Sequence, residues 1–298
     1  MFKGVILKIL SEFSYVWYKK KVYECKNKGK LRHKNQIPIA GDFVNFEITD
    51  NVNFKGVISE ILERKNVLYR PRIANIDQVI IITAVREPNL NIFTLNKYLV
   101  SIEYLNIKPI LAFTKVDLLK KRDKDYQILD EYKKMGYEVY LINNMIKTNE
   151  QRNSFVKSLE KKVSVFTGQT GAGKSTTLNH IIPNLFEPTQ EISKALNRGK
   201  HTTTKTELFI YKDGFIGDSP GFSSFEFKDF DKQKLAYSLT FFKNNIGKCK
   251  FNDCLHLKNS FDCFIIECVN ENKFPKFIYE DYLKMQNDII QQEKRKKF

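Results

Sequence analysis

The sequence predicts a multidomain chain whose three parts differ in class: an N-terminal OB-type β-barrel over residues 1–68, a central α/β domain over 69–227, and a mainly helical C-terminal domain over 228–298. Three observations lead there. Short β-type runs separated by turn-like or basic segments fill the N-terminal part. From Gln78 onward, continuous apolar runs alternate with helical stretches, as in a parallel sheet with crossover helices. Four of the five cysteines crowd between Cys249 and Cys268, in a stretch that otherwise reads as helix.

In the first part the runs are Gly4–Leu10, Tyr15–Tyr18, Lys21–Cys25, Asp42–Ile48 and Gly56–Ile61. Five short strands close most economically as an OB barrel. Tyr15, Trp17, Tyr18 and Tyr23 lie among Lys19, Lys20, Lys21, Lys26 and Lys28, so rings able to stack on bases are interleaved with positive charge. Alternation sends half of those rings inward, and the others are expected to form a nucleic-acid face. Cys25 stands alone and reads as a barrel core residue.

The central part shows strands at Gln78–Ala84, Pro109–Phe113, Tyr137–Ile142 and Val163–Phe166, with helices near 93–104, 126–135 and 151–159 between them. Directly after the last strand come Gly168, Gln169, Thr170, Gly171, Ala172, Gly173, Lys174, Ser175 and Thr176, which fit the phosphate-loop pattern G-x-x-x-x-G-K-[ST]. Glycines let the backbone N–H groups approach a polyphosphate, and the helix opening near Lys174 adds its positive end. Lys174 should reach the β and γ phosphates, and Ser175 should ligate Mg2+.

The strand before Thr114, Lys115, Val116 and Asp117 ends in a base-reading loop. A carboxylate there accepts two parallel bonds from N1–H and the exocyclic amine of guanine, a pair that adenine lacks. GTP is therefore favoured over ATP. Downstream, Leu208–Tyr211 and Phe215–Gly217 read as paired strands, the second ending in Asp218-Ser219-Pro220-Gly221. Asp218 is placed to reach magnesium through water, and the N–H of Gly221 to bond the γ-phosphate. The polar stretch from Glu187 to Lys205 reads as a mobile loop, in which one hydroxyl among Thr202, Thr203 and Thr204 completes the magnesium shell. Phe222 stands where the small GTPase Ras has its water-orienting glutamine, so intrinsic hydrolysis should be slow unless another group positions water. His201 is a candidate, alongside a solvated or RNA-contacting role.

Cys249, Cys254, His256 and Cys263 offer three thiolates and an imidazole within fifteen residues, a closed donor set for one structural Zn2+. Cys268 is either a core residue or a replacement ligand. Phe274, Ile278, Tyr282, Met285 and Ile289 predict a closing amphipathic helix before a basic tail.

The formal charge of +16 calls for an anionic partner larger than a nucleotide, with RNA first. The excess is spread along the chain, so lysine-rich solvated faces compete with that reading. No apolar run approaches the roughly 18 residues that span a bilayer, and no leader is evident, which places the chain in a reducing cytosol. Neither DNA nor a membrane is implied, and a monomer is expected.

The base-reading loop precedes the phosphate loop by some fifty residues, whereas ordinary GTPases place it after the switches, so the domain reads as circularly permuted. This order, with the preceding barrel, Gly199 to Thr204, Asp218 to Phe222 and the Cys-Cys-His-Cys cluster, resembles the ribosome small subunit-dependent GTPase A family over essentially the whole chain. The resemblance implies an OB barrel, a permuted GTPase domain and a zinc domain. It also implies binding to the small ribosomal subunit and its rRNA late in maturation, with GTP hydrolysis stimulated by the subunit. Three departures stand against it: Thr114 replaces the usual asparagine, Leu141-Ile142-Asn143-Asn144 lacks the usual Ser-Ala base contact, and the gap from His256 to Cys263 is one residue longer than usual. Two rival classes are a GTP-regulated, non-catalytic RNA-binding scaffold and an ATP-using P-loop enzyme. The first is open to Phe222, and the second is disfavoured by Asp117.

Overall fold

The computed structural model describes residues 1–28, 37–69, 71–120, 123–146, 150–183, 206–218 and 230–295. Strands β1 (Phe2–Leu10), β2 (Phe13–Tyr18), β3 (Lys21–Asn27), β4 (Phe43–Asp50) and β5 (Lys55–Ile61) close into a barrel of order β1-β2-β3-β5-β4. Closure comes from β1 pairing with β4 and from the parallel pairing of β3 with β5, which leaves no free sheet edge. Ile6, Val16, Tyr23, Cys25, Val44, Phe46 and Ile58 fill the interior. Cys25 is buried as expected, and burial pushes its thiol up to about 12, which keeps it unreactive. Of the four aromatic residues expected to divide between core and surface, Tyr23 points inward, Trp17 packs toward the neighbouring domain, and Tyr15 donates its hydroxyl to Glu24. Lysines sit over rings at several places on the barrel: Lys3 over Phe43, Lys19 over Tyr18, Lys21 over Phe54 and Lys26 over Phe13.

A short hairpin of β6 (Val67–Tyr69) and β7 (Arg72–Ala74) follows, where the sequence suggested only a change of pattern around Arg70-Pro71-Arg72. Its three-residue strands are too short to show periodicity. The hairpin joins the barrel to the sheet: Ala74 N–H donates to the Ala40 carbonyl, and the Asn75 amide donates to that of Gly41.

The central sheet comprises β8 (Gln78–Ala84), β9 (Lys108–Thr114), β10 (Glu138–Ile142), β11 (Val163–Gly168), β12 (Leu208–Tyr211) and β13 (Gly214–Asp218), ordered β10-β9-β8-β11-β13-β12. Every pairing is parallel except β12 with β13. Helices α1 (Ile92–Tyr104), α2 (Lys124–Lys134), α3 (Glu150–Ser158) and α4 (Lys174–Ile181) provide the crossovers. All seven residues of β8 are buried, as befits a strand covered on both faces. Because β8, β9, β10, β11 and β13 are parallel, their C-terminal ends lie along one edge, where ligands bind in open α/β sheets.

The C-terminal part holds α5 (Lys232–Ala236), α6 (Thr240–Lys243), α7 (Phe264–Asn270) and α8 (Lys276–Arg295). Phe274 precedes α8, while Ile278, Tyr282, Met285 and Ile289 form its buried stripe. One core runs from Leu7 of the barrel through Val79, Ile81 and Phe113 of the sheet to Leu235 and Ile289. Polar bonds fasten the C-terminal part to α1 and α2: Asn96 donates to Asp281 at 2.8 Å, Tyr132 donates to Asn96 at 2.6 Å, and the Thr240 N–H donates to Glu103 at 2.7 Å.

Candidate nucleotide and metal sites

The phosphate loop leaves β11 at Gly168 and enters α4 at Lys174. Its tightness depends on missing side chains. Gly168 has φ +150°, and a Cβ there would stand 2.1 Å from the Ile82 carbonyl oxygen. Gly173 caps α4 in the left-handed region at φ +85°, facing Thr114 and Asn144. A backbone concavity thus opens at a helix N-terminus, which suits a polyphosphate. Ala172 is buried beneath it, whereas Thr170, Gly171, Ser175 and Thr176 are exposed. Lys174 pairs with Asp218 at the end of β13, both half-sheltered from solvent. Ser175 follows Lys174 with its side chain exposed, so the ammonium suits phosphate oxygens while the Asp218 carboxylate and the Ser175 hydroxyl are oxygen donors of the kind Mg2+ takes.

Two strands away, β9 ends at Thr114, and Lys115 takes a left-handed turn at φ +56° into the single helical turn Val116–Leu118, which leaves Asp117 exposed. The Lys115 ammonium bonds the Glu87 carbonyl, and Pro88 beside it lies against Gly171, so Lys115 ties this loop to the phosphate loop through the loop after β8. The direct tie is Thr114, whose hydroxyl donates to the Ala172 carbonyl at 2.5 Å. Asn144, after β10, adds a second: its amide bonds Thr177 at 3.1 Å, and Thr177 donates to the Gly173 carbonyl at 2.9 Å. Neither tie was read from sequence, since hydroxyl and amide side chains at loop positions carry no periodic signal. Arg86 pairs with Asp123 and Asp125, holding α2 to the same edge. His201, Thr202, Thr203, Thr204, Gly221 and Phe222 lie outside the described residues.

The ligand atoms of Cys249, Cys254, His256 and Cys263 lie within 4.8 Å of one another. His256 reaches Cys263 at 3.4 Å and Cys249 at 3.6 Å through Nδ1. Tyr279 donates to the His256 carbonyl at 2.8 Å, and Tyr282 to that of Leu255 at 2.7 Å, so α8 braces the knuckle. Burial pushes the Cys263 thiol up to about 12 and holds His256 down at about 4. A neutral imidazole is ready to coordinate, and the buried Cys263 thiol would give up its proton on binding a metal. The donor set fits zinc. Cys268 sits apart from this group in the core, on α7.

A parallel sheet whose base-side loop precedes its phosphate loop in the chain, set between a small barrel and a Cys3His knuckle, defines a circularly permuted P-loop GTPase. The chain belongs to the RsgA GTPase family: the family model RsgA GTPase matches residues 61–228, and RsgA N-terminal domain matches residues 3–58. It is therefore a GTP hydrolase of a kind that uses GTP and Mg2+. It is 38% identical over 299 residues to the small ribosomal subunit biogenesis GTPase RsgA of Clostridium botulinum (strain 657 / Type Ba4), covering 99% of each chain. With the small ribosomal subunit biogenesis GTPase RsgA 2 of Oceanobacillus iheyensis it shares 40% identity, over 97% of this chain and 98% of the other. Among solved structures, the circularly permuted GTPase YloQ superposes with a TM-score of 0.80 at 30% identity, over 97% of this chain and 95% of that one. YjeQ from Thermotoga maritima gives a TM-score of 0.82 at 27% identity, over 97% and 98%. No helix among the described residues is long and apolar enough to cross a membrane.

Proposed function

We propose that this protein docks on the small ribosomal subunit, assists its late maturation in the cytoplasm, and hydrolyses GTP to GDP and phosphate faster when docked. The observation that carries this reading is the joining of the two nucleotide loops at one sheet edge by Thr114, in a chain similar along its length to proteins named for small ribosomal subunit biogenesis. Asp117 reads the guanine edge, with Thr114, Lys115 and Val116 setting its loop. Gly168 to Gly173 cradle the phosphates, Lys174 neutralises the β and γ groups, and Ser175 with Asp218 holds Mg2+, which supplies charge neutralisation to the departing phosphate. A polyphosphate in the cradle would compete with Asp218 for the Lys174 ammonium, leaving that carboxylate available to hold Mg2+ with Ser175. The Thr203 hydroxyl completes the magnesium shell, the Gly221 N–H bonds the γ-phosphate, and His201 positions water.

Residues 1–68 form the rRNA-binding part, on the strength of its lysine-over-ring surface, and 69–227 the GTPase part. Residues 228–298 are held by one structural zinc on Cys249, Cys254, His256 and Cys263, and the protein acts as a monomer. The test is affinity for isolated small subunits. Tighter binding with a non-hydrolysable GTP analogue than with GDP is expected, and equal affinity in a catalytically intact protein would contradict the reading.

A further inference from the structure

Strand β1 carries a β-bulge. Its register with β2 runs Ile6 against Val16 and then Lys8 against Tyr15, so Leu7 and Lys8 together face one residue step of the partner. Strict alternation would turn Lys8 into the barrel with Ile6. The bulge turns it outward, beside Leu7, which joins the core shared with the central sheet. There Lys8 is 4% exposed, and its ammonium lies 3.2 Å from the carboxylate of Glu207 and 5.6 Å from the Tyr15 ring centre. Burying a lysine is costly unless it is paired, so this contact fixes where residue 207 sits against the barrel.

Glu207 immediately precedes β12, and Leu208 pairs with Gly217, the residue before Asp218. The barrel side grips that point twice. Ile73, bridged to Ala40, crowds Gly217 so closely that a Cβ there would meet its Cδ1 at 3.0 Å. A continuous chain of contacts therefore runs from Lys8 through Glu207, Leu208 and Gly217 to Asp218 and its partner Lys174.

We infer that Lys8 is a positioning residue for GTP hydrolysis: through Glu207 it couples the barrel to the β12–β13 hairpin, so that docking of the barrel sets Asp218 and, reciprocally, the nucleotide sets the barrel strand. This rests on the reading of the chain as a subunit-stimulated GTPase. The two are separable because the reciprocal effect is visible without subunits.

The test uses the full chain, with Lys8→Met and, as the milder change at the more exposed partner, Glu207→Gln. Thermal unfolding verifies that each variant is folded. Amide hydrogen exchange of residues 5–9 is expected to differ between GDP and a non-hydrolysable GTP analogue in the parent protein, and the difference should vanish in both variants. With saturating small subunits, kcat should drop roughly tenfold in both variants, while the rate without subunits and the KM for GTP stay within about twofold. Identical exchange in the two nucleotide states of the parent protein overturns the inference whatever the subunits do, as does full stimulation in either folded variant. A parent protein that small subunits fail to stimulate overturns the functional reading instead, and the exchange result alone then decides the inference.

Discussion

The hydroxyl of Thr114, at the end of the strand on the base side, donates to the backbone carbonyl of Ala172 beneath the phosphate loop, with no exposure of the threonine to solvent. Thr114→Val keeps the shape and removes the donor, leaving a buried carbonyl unpaired at a cost of about 1–3 kcal/mol. The expected outcome is a roughly tenfold loss of GTP affinity, equivalent to about 1.4 kcal/mol, in a titration with a fluorescent guanine nucleotide. Unchanged affinity would mean that the two loops do not act together.

Gly168 offers a sharper stability test. An added Cβ would collide with the Ile82 carbonyl at 2.1 Å and would also adopt φ +150°, whereas Gly136, with φ +87°, has nothing within 4 Å of its added Cβ. Gly168→Ala should cost about 3 kcal/mol or more and abolish GTP binding, against about 1 kcal/mol for Gly136→Ala with binding intact. Denaturant melts of the two variants check the order.

The metal knuckle predicts one zinc per chain by elemental analysis. Cys263→Ser should lose the metal and Cys268→Ser should keep it, since Cys268 lies outside the cluster. Chelation should lower the unfolding temperature of the parent protein and leave the Cys263→Ser variant unchanged.

Burial raises the carboxyl of Glu103 above its ordinary value of 4.5, opposed by the bond from the Thr240 N–H. The folded state then holds that proton more tightly than the unfolded state. Its favourable contribution is full below the ordinary carboxyl range and is lost as pH rises through the raised value. Glu103→Gln, which can still accept from Thr240, should therefore gain stability over the parent on the order of 1 kcal/mol at pH 7 to 8, and the gain should shrink to nothing near pH 4. A gain that grows on acidification would contradict this assignment. Paired thermal melts across that range supply the reading.

The architecture was legible wherever burial imposes a period or a motif fixes a backbone. The strands Gln78–Ala84 and Leu208–Tyr211 run as their composition suggested, because Val79–Ile82 form an unbroken apolar run in a strand covered on both faces, and a short edge strand here is bounded by Asp213 and Gly214 at its turn. The phosphate loop and the Cys-Cys-His-Cys spacing were legible for the same reason, since each needs particular residues at particular intervals. The hairpin at 67–74 was not, being shorter than any period it could display. Nor was the bulge at Leu7 and Lys8, which exists because the barrel must offer one apolar and one charged group to a domain far along the chain. Lys115 bonding Glu87, and Thr114 bonding Ala172, are likewise decided by where β8, β9 and β11 lie side by side, which no local window contains.

The most direct test of the account is GTP hydrolysis by the purified protein, alone and with isolated small ribosomal subunits, with large subunits as the control. Strong stimulation by small subunits only, abolished by Lys174→Ala, is the expected result. Hydrolysis unaffected by either subunit, with GTP still bound, would contradict it and favour a non-catalytic RNA-binding scaffold.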